Sequence, residues 1–370
     1  MKKLIALISC MALLLSTASC GKSDSSESAT TETTTTAVTE TTTAEETETT
    51  TEEVTEAETT EESTETASVF PVTITDQSGR EVVIEEKPEK LVSGYYISTS
   101  TLISLGLKDK LVGVEAKADK RPIYKLSAPE LIDLPNVGTA KEFDLEGCIA
   151  LNPDLVILPV KLKSVVEDLE KFDIDVILVN PETAEQLEEM IDIIASATDT
   201  KANADKLNDY SDNIEEQLAA ITGDAPSVYL AGNSSFLSTA GTAMYQSDMI
   251  KLAGGINVAD EITDTYWAEV SYENVLAWNP EYIIIASDAE YTVEDVLNDA
   301  NLADVEAVKN NNVYKLPGNA EAWDSPVPSG ILGSVWAASI LHSDEMSEQE
   351  CSDIIDEFYS EFYGFRYSET

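Results

Sequence analysis

From about residue 70 onward, apolar positions in this chain follow two alternating rhythms. Runs such as DLVILP (154–159) and EYIIIAS (281–287) are apolar without a break, which predicts short strands buried on both faces. Between such runs, apolar residues recur every three or four positions, the period of an amphipathic helix. The first ordered stretch, PVTITDQSGREVVIEEKP, carries two alternating runs around Gln77-Ser78-Gly79, a hairpin signal. LVSG (91–94) then leads into a helix over 97–105 that ends at Gly106, and LVGVE (111–115) reads as a strand. DLEGCIAL is a short helix closed by Asn152-Pro153, 163–171 is a further helix, and VILV (176–179) a further strand. Strands alternating with helices argue for a mostly parallel sheet covered by helices.

The stretch from about 183 to 221 breaks that rhythm. It has almost no strand signal and no Gly. Leu207, Tyr210, Ile214, Leu218 and Ile221 recur at helical spacing, so one long amphipathic helix is expected after a shorter one. Gly223-Asp224-Ala225-Pro226 stops it. The βα pattern then restarts with SVYLAG (227–232), a helix over about 242–252, the helix SYENVLAW, and EYIIIAS. VYKL (313–316) and two helices, about 326–341 and 347–362, complete it. A phrase recurs on the two sides of the long helix: EGCIALNPDLVIL from Glu146 and ENVLAWNPEYIII from Glu273. Similar α/β units often read alike, but the sharper reading is two lobes of the same architecture joined by a single helix.

The beginning of the chain has a different character. MKKLIALISCMALLLSTASC has a basic start, a short apolar stretch and small residues before Cys20, which reads as a signal peptide (1–19) with lipidation at Cys20. Residues 20–68 are nearly all Thr, Glu, Ser and Ala and have little to bury, so a disordered tether is expected. An N-terminal α/β lobe over 69–182, a helical linker over 183–222 and a C-terminal α/β lobe over 223–370 follow. The 370 residues carry 22 Lys+Arg against 70 Asp+Glu, a net charge of -48. Such a chain repels nucleic acid and anionic membrane surfaces, leaving membrane attachment to the lipid. Four cysteines do not make a disulfide framework; Cys148 and Cys351 read as buried small hydrophobes.

Signatures of catalysis are mostly missing. There is no phosphate-binding Gly-rich loop, no dinucleotide fingerprint and no nucleophile elbow. The one histidine, His342, sits at the end of an apolar helix, where a structural role is expected. A bare transition-metal cage is poorly served by one His. Carboxylates are abundant, but no spacing singles out a hydrolytic pair. The informative residues lie at strand ends, where α/β proteins place ligands. Tyr95, Tyr96, Ser98 and Thr99 follow the strand at 91–94; the hydroxyls read either as ligand contacts or as helix caps. Lys117, Lys120 and Arg121 follow the next strand, and Lys161 the one after. Cations at three successive strand ends of an acidic protein point to an anionic ligand, or else are ordinary loop charges. In the second half, Tyr266-Trp267 and Trp323-Asp324 occupy loops, where Trp either caps a core or lines a cleft.

These pieces resemble a known family. ITDQSGREVVIEEKPEKLVS, LISLGLKDKLVGV, LPNVGTAKEFDLEGCIALNPDLVI, WAEVSYENVLAWNPEYIII and VEAVKNNNVYKLP are similar, in order over about 72–362, to the substrate-binding proteins of ABC importers for iron–siderophore, haem and cobalamin. The resemblance implies a class III periplasmic-binding-protein fold, with two Rossmann-like α/β lobes joined by a single long helix and a ligand cleft between them. It implies no catalysis, no cofactor, a monomer, and a metal chelate as ligand. It further implies docking on an ABC permease; with the lipid anchor at Cys20 and the long tether, the expected location is the extracellular face of the membrane of a Gram-positive-like cell. Glu146 and Glu273 match the paired docking glutamates of cobalamin-binding members, and Trp267 a cleft aromatic. Ala140, Pro159 and Ala231 stand where those members place aromatics, which speaks against cobalamin itself. The expected ligand contacts are Tyr95, Tyr96, Ser98, Lys117, Arg121, Lys161, Tyr266, Trp267, Trp323 and Asp324. A surface adhesin that retains the fold without transport is the alternative.

Overall fold

The computed structural model describes residues 69–263 and 266–370. The expected signal, Cys20 and tether lie outside the described residues. The chain opens with an antiparallel hairpin of β1 (Val72–Thr75) and β2 (Glu81–Ile84). Its turn is organised by Asp76, nearly buried, whose carboxylate accepts from the backbone N–H groups of Ser78 and Arg80. There follow β3 (Leu91–Ser93), α1 (Tyr96–Ser104), β4 (Leu111–Gly113), α2 (Pro122–Ser127) and α3 (Leu145–Ala150). The first half then closes with β5 (Leu155–Pro159), α4 (Val166–Glu170) and β6 (Asp175–Val179). Its four strands pair in parallel in the order β4-β3-β5-β6. All of β5 is buried, as an apolar run flanked by helices requires.

Two helices interrupt the alternation, α5 (Ala184–Thr198) and α6 (Lys201–Ala219). Thr183 caps α5 by accepting from the Gln186 N–H, which satisfies one of the free amides of the first turn. Leu207, Ile214 and Leu218 on α6 are buried. Tyr210 packs edge-on against Phe358 and Phe362. The stripe read from the sequence is therefore the packing face; Ile221 alone falls beyond the helix.

The second half contains β7 (Ser227–Ala231), β8 (Ser238–Ala240), α7 (Tyr245–Leu252), β9 (Ile256–Asn257), β10 (Trp267–Glu269), α8 (Tyr272–Trp278) and β11 (Tyr282–Ile285). It ends with α9 (Val293–Leu297), α10 (Glu306–Asn310), β12 (Val313–Lys315), α11 (Ile331–Leu341) and α12 (Glu348–Phe362). Its sheet runs β10-β8-β7-β11-β12, with β9 beside β7. β7, β11 and β12 are parallel, whereas β8 and β10 add an antiparallel edge that the sequence pattern did not predict. Both short helices of the repeated phrase stop the same way. Asn152 and Asn279 adopt left-handed φ values of 49° and 45°, a conformation Asn tolerates, and the following Pro cannot continue a helix. His342 caps α11, with a ring nitrogen 3.3 Å from the Gly254 carbonyl. Cys148 and Cys351 are buried and free. No helix among the described residues is long and apolar enough to cross a membrane.

Because Ile214 fills the α6 contact face at 2 % exposure, Ile214→Ala should cost about 2–5 kcal/mol. The measurement is urea denaturation, with a lowered midpoint and an unchanged slope.

Candidate functional site

Strand ends from both sheets meet at a cavity of about 210 Å³. Tyr96, Lys117, Lys120 and Arg121 reach it from the first half; Asp288 and Glu321 reach it from the second. The three cations belong to one tight turn between β4 and α2. Pro122 opens α2 at its first position, where a missing N–H costs nothing, and this ends the turn just after Arg121. Lys117 has φ +70°. The other non-glycine residues with positive φ among those described are all Asn or Asp, which tolerate that conformation far better than Lys. Such strained positions concentrate at ligand-binding loops.

Arg121 is held from two sides. Its guanidinium carbon lies 4.1 Å from the Tyr96 ring centre, a cation–π contact. Its Nε lies 3.9 Å from Glu115 Oε1. Glu115 is buried and accepts from the Tyr124 and Thr99 hydroxyls, each at 2.7 Å. Burial pushes its carboxyl up, against those two hydrogen bonds. Facing Arg121 across the cavity, Glu321 accepts from Ser329 Oγ at 2.6 Å and Ser100 Oγ at 3.1 Å. Desolvation pushes its carboxyl up to about 7, while the two serines and Arg121 pull it down. Its charge is therefore divided near neutral pH.

The sequence-predicted residues separate into three sets. Tyr96, Lys117 and Arg121 line this cavity. Tyr95, Lys161, Tyr266 and Trp267 do not line it. Tyr95 packs edge-on to Tyr96 with ring centres 5.3 Å apart; Lys161 is exposed and lowers the carboxyl of Glu182, which burial raises. Trp267 is 38 % exposed on the edge strand β10. Its ring rests over Gly232, where an added Cβ would lie 2.7 Å from it. Tyr266 beside it is exposed.

Ser98, Trp323 and Asp324 depart from expectation. Ser98 is fully buried; it donates to the Tyr95 carbonyl and shares a hydrogen bond with Ser93. It is not a cap, because the start of α1 has no side-chain cap, and its hydroxyl is engaged within the protein. Trp323 is 1 % exposed, donates from its indole to the Tyr359 hydroxyl at 2.8 Å and packs on Tyr367. Asp324 is buried and accepts from Ser287 Oγ. Both close the core under the loop after β12. For Trp323, burial fits the core-cap reading better than the cleft reading. Glu321 and Asp288 escaped the sequence analysis. Both follow strand ends, and that position was the signal available for them.

The sequence profile of the periplasmic binding protein family matches residues 91–320, and the chain belongs to that family. It is an ABC-transporter substrate-binding protein with the class III fold. The molybdate-binding protein MolA of Haemophilus influenzae is 27% identical over 80% of this chain and 91% of its own length. The crystal structure of MolA bound to molybdate matches with a TM-score of 0.68 at 25% identity, covering 80% of this chain and 99% of that one. A vitamin B12-binding protein of Photorhabdus laumondii is 26% identical over 55% of this chain and 72% of its own. The petrobactin-binding protein YclQ of Bacillus subtilis is 25% identical over 65% and 78%.

Trp323→Ala should cost about 3–5 kcal/mol of stability, read as a lower denaturation midpoint. A loss of ligand affinity without loss of stability would return Trp323 to the cleft.

Proposed function

We propose that this protein captures a small anionic solute in the cavity beside Arg121 and delivers it to an ABC permease. The observation that carries this reading is the convergence of Lys117, Lys120 and Arg121 on one cavity in a chain of net charge -48. Long-range attraction of anions is weak here, so affinity must come from local cations and hydrogen-bond donors. Arg offers a planar fork suited to oxyanions, and Lys a compact charge. At about 210 Å³ the cavity is smaller than the roughly 300–1,000 Å³ typical of drug-sized ligands. That size favours a compact oxyanion of the kind bound by the molybdate-binding relative. A metal chelate is the second reading, favoured by the exposed Trp267 and by the Tyr96 ring, which offer flat apolar contact. Lipidation at Cys20 would hold the receptor at the outer face of the membrane.

The test is calorimetric titration with molybdate, tungstate, ferric siderophores, haem and cobalamin. Molybdate or tungstate binding that Arg121→Ala weakens by at least about tenfold supports the oxyanion reading. Tight binding of a ferric siderophore alone supports the chelate. Silence across the whole panel counts against both. The pH dependence has a definite sign. A carboxyl pushed up to about 7 is neutral below that pH and anionic above it. Anion affinity should therefore rise by about an order of magnitude as pH falls from about 8 to about 6. Glu321→Gln should flatten the profile at the acid-side value, which separates Glu321 from the neighbouring buried Asp324.

Glu146 and Glu273 are proposed as the permease contacts. Each is exposed at the second position of its helix, behind the caps Asp144 and Ser271. Glu146→Arg combined with Glu273→Arg should abolish uptake in cells while leaving solute affinity intact. Normal uptake by the double variant would refute the docking assignment.

A further inference from the structure

Glu321 lines the same cavity as Lys117, Lys120 and Arg121, yet among the described residues it pairs with none of them. Lys120 pairs with Asp119 and Arg121 with Glu115 instead. Ser100 and Ser329 both donate to one oxygen of the Glu321 carboxylate, Oε2. Neither serine lines the cavity, so Oε2 is turned toward the protein and Oε1 remains on the cavity side. Oε1 accepts no hydrogen bond from the protein among the described residues. A half-buried carboxylate oxygen without a donor is costly.

The two serines fix this orientation. Ser100 is fully buried on α1 and shares a hydrogen bond of 2.9 Å with the Tyr363 hydroxyl of α12. Ser329 is fully buried in the turn ahead of α11. Turning the carboxylate to engage Oε1 elsewhere would give up both bonds. The groups that face it cannot supply the missing donor at lower cost. Tyr96, Tyr359 and Tyr363 stay protonated, because burial pushes their hydroxyls up. Asp324, next along its own loop, accepts from Ser287, and Asp288 lies exposed at the rim. The cations of the turn before α2 are engaged with Asp119 and Glu115, apart from Lys117.

An ionised carboxylate accepts hydrogen bonds and donates none. Set against three cations, it makes two demands on a ligand: negative oxygens for the cations and a donor for Oε1. An oxyanion with every oxygen ionised meets the first demand and sets like charges together at the second. We propose that the site selects a tetrahedral oxyanion that carries an acidic O–H, of which hydrogen phosphate is the simplest, over a fully ionised one such as molybdate. The ionised oxygens face Lys117, Lys120 and Arg121, and the O–H donates to Glu321 Oε1. This rests on the oxyanion reading above and adds which oxyanion is taken. Ligand and protein then share one proton. Molybdate must wait for Glu321 to acquire it, whereas hydrogen phosphate brings its own.

The experiment is calorimetric titration of the protein with inorganic phosphate and with sodium molybdate. At about pH 8 both are tetrahedral and predominantly dianionic, and phosphate should bind at least about tenfold more tightly. Between about pH 8 and about pH 6 molybdate affinity should rise about tenfold, and phosphate affinity should show no such rise. Glu321→Gln offers the cavity an amide donor. It should bring the two affinities at about pH 8 to within about threefold, chiefly through a gain for molybdate. A misfolded variant could not produce that gain. Molybdate binding as tight as phosphate at about pH 8, or a phosphate preference that survives Glu321→Gln, overturns the proposal and leaves the oxyanion reading standing. Binding of neither anion at either pH overturns both.

Discussion

The burial of the parallel strands on both faces constrains everything else in this protein. β5 is buried along its whole length, and so is most of β11. A strand of this kind cannot turn back on itself through a hairpin; its connection must cross over the sheet as a helix. Each crossover leaves from the C-terminal end of its strand, so the loops after β3, β4, β11 and β12 all emerge at the same edge of their sheets. Tyr96, Arg121, Asp288 and Glu321 come from those loops. Their meeting follows from the direction of the strands before any ligand is considered.

Electrostatics then decides what the meeting point can hold. A net charge of -48 makes most of this surface hostile to anions. The turn from Lys117 to Arg121 reverses that locally, and Arg121 is kept in place by the Tyr96 ring and by Glu115. Glu321 opposes them with a carboxyl whose charge is divided near neutral pH. The cavity thus holds opposed charges, and protonation of Glu321 leaves its cations in excess.

The fold was legible because its signals are local. Uninterrupted apolar runs, the Asn-Pro stops and the Leu207–Leu218 stripe each depend on a few neighbouring residues. The antiparallel edge of β8 and β10 was not legible. Both strands are three residues long, and their pairing is set by residues far apart in sequence. The site divides along the same line. Lys117 and Arg121 could be placed by the rule that ligands gather at strand ends. Ser98 and Trp323 could not, since inward and outward orientation depends on what the surrounding helices cover. Tyr359, which takes the Trp323 indole hydrogen bond, lies on a helix that follows it by two elements.

The phrase repeated at Glu146 and Glu273 shows where local physics stops explaining a residue. The apolar positions are required by the buried strands, the Asn by a left-handed helix end, and the Pro by the stop. The glutamates benefit from the positive end of their helices, an effect worth about 0.3–1 kcal/mol in general, and hydrogen bonds hold Glu273's carboxyl below the usual carboxylate range. That preference is satisfied equally by aspartate and would not by itself demand an exposed, outward carboxylate on each half. A helix start does demand exposure, because its free amides must meet solvent or a partner. An acid at that position is thus stabilised by the helix and left exposed, which is compatible with the docking role proposed for Glu146 and Glu273.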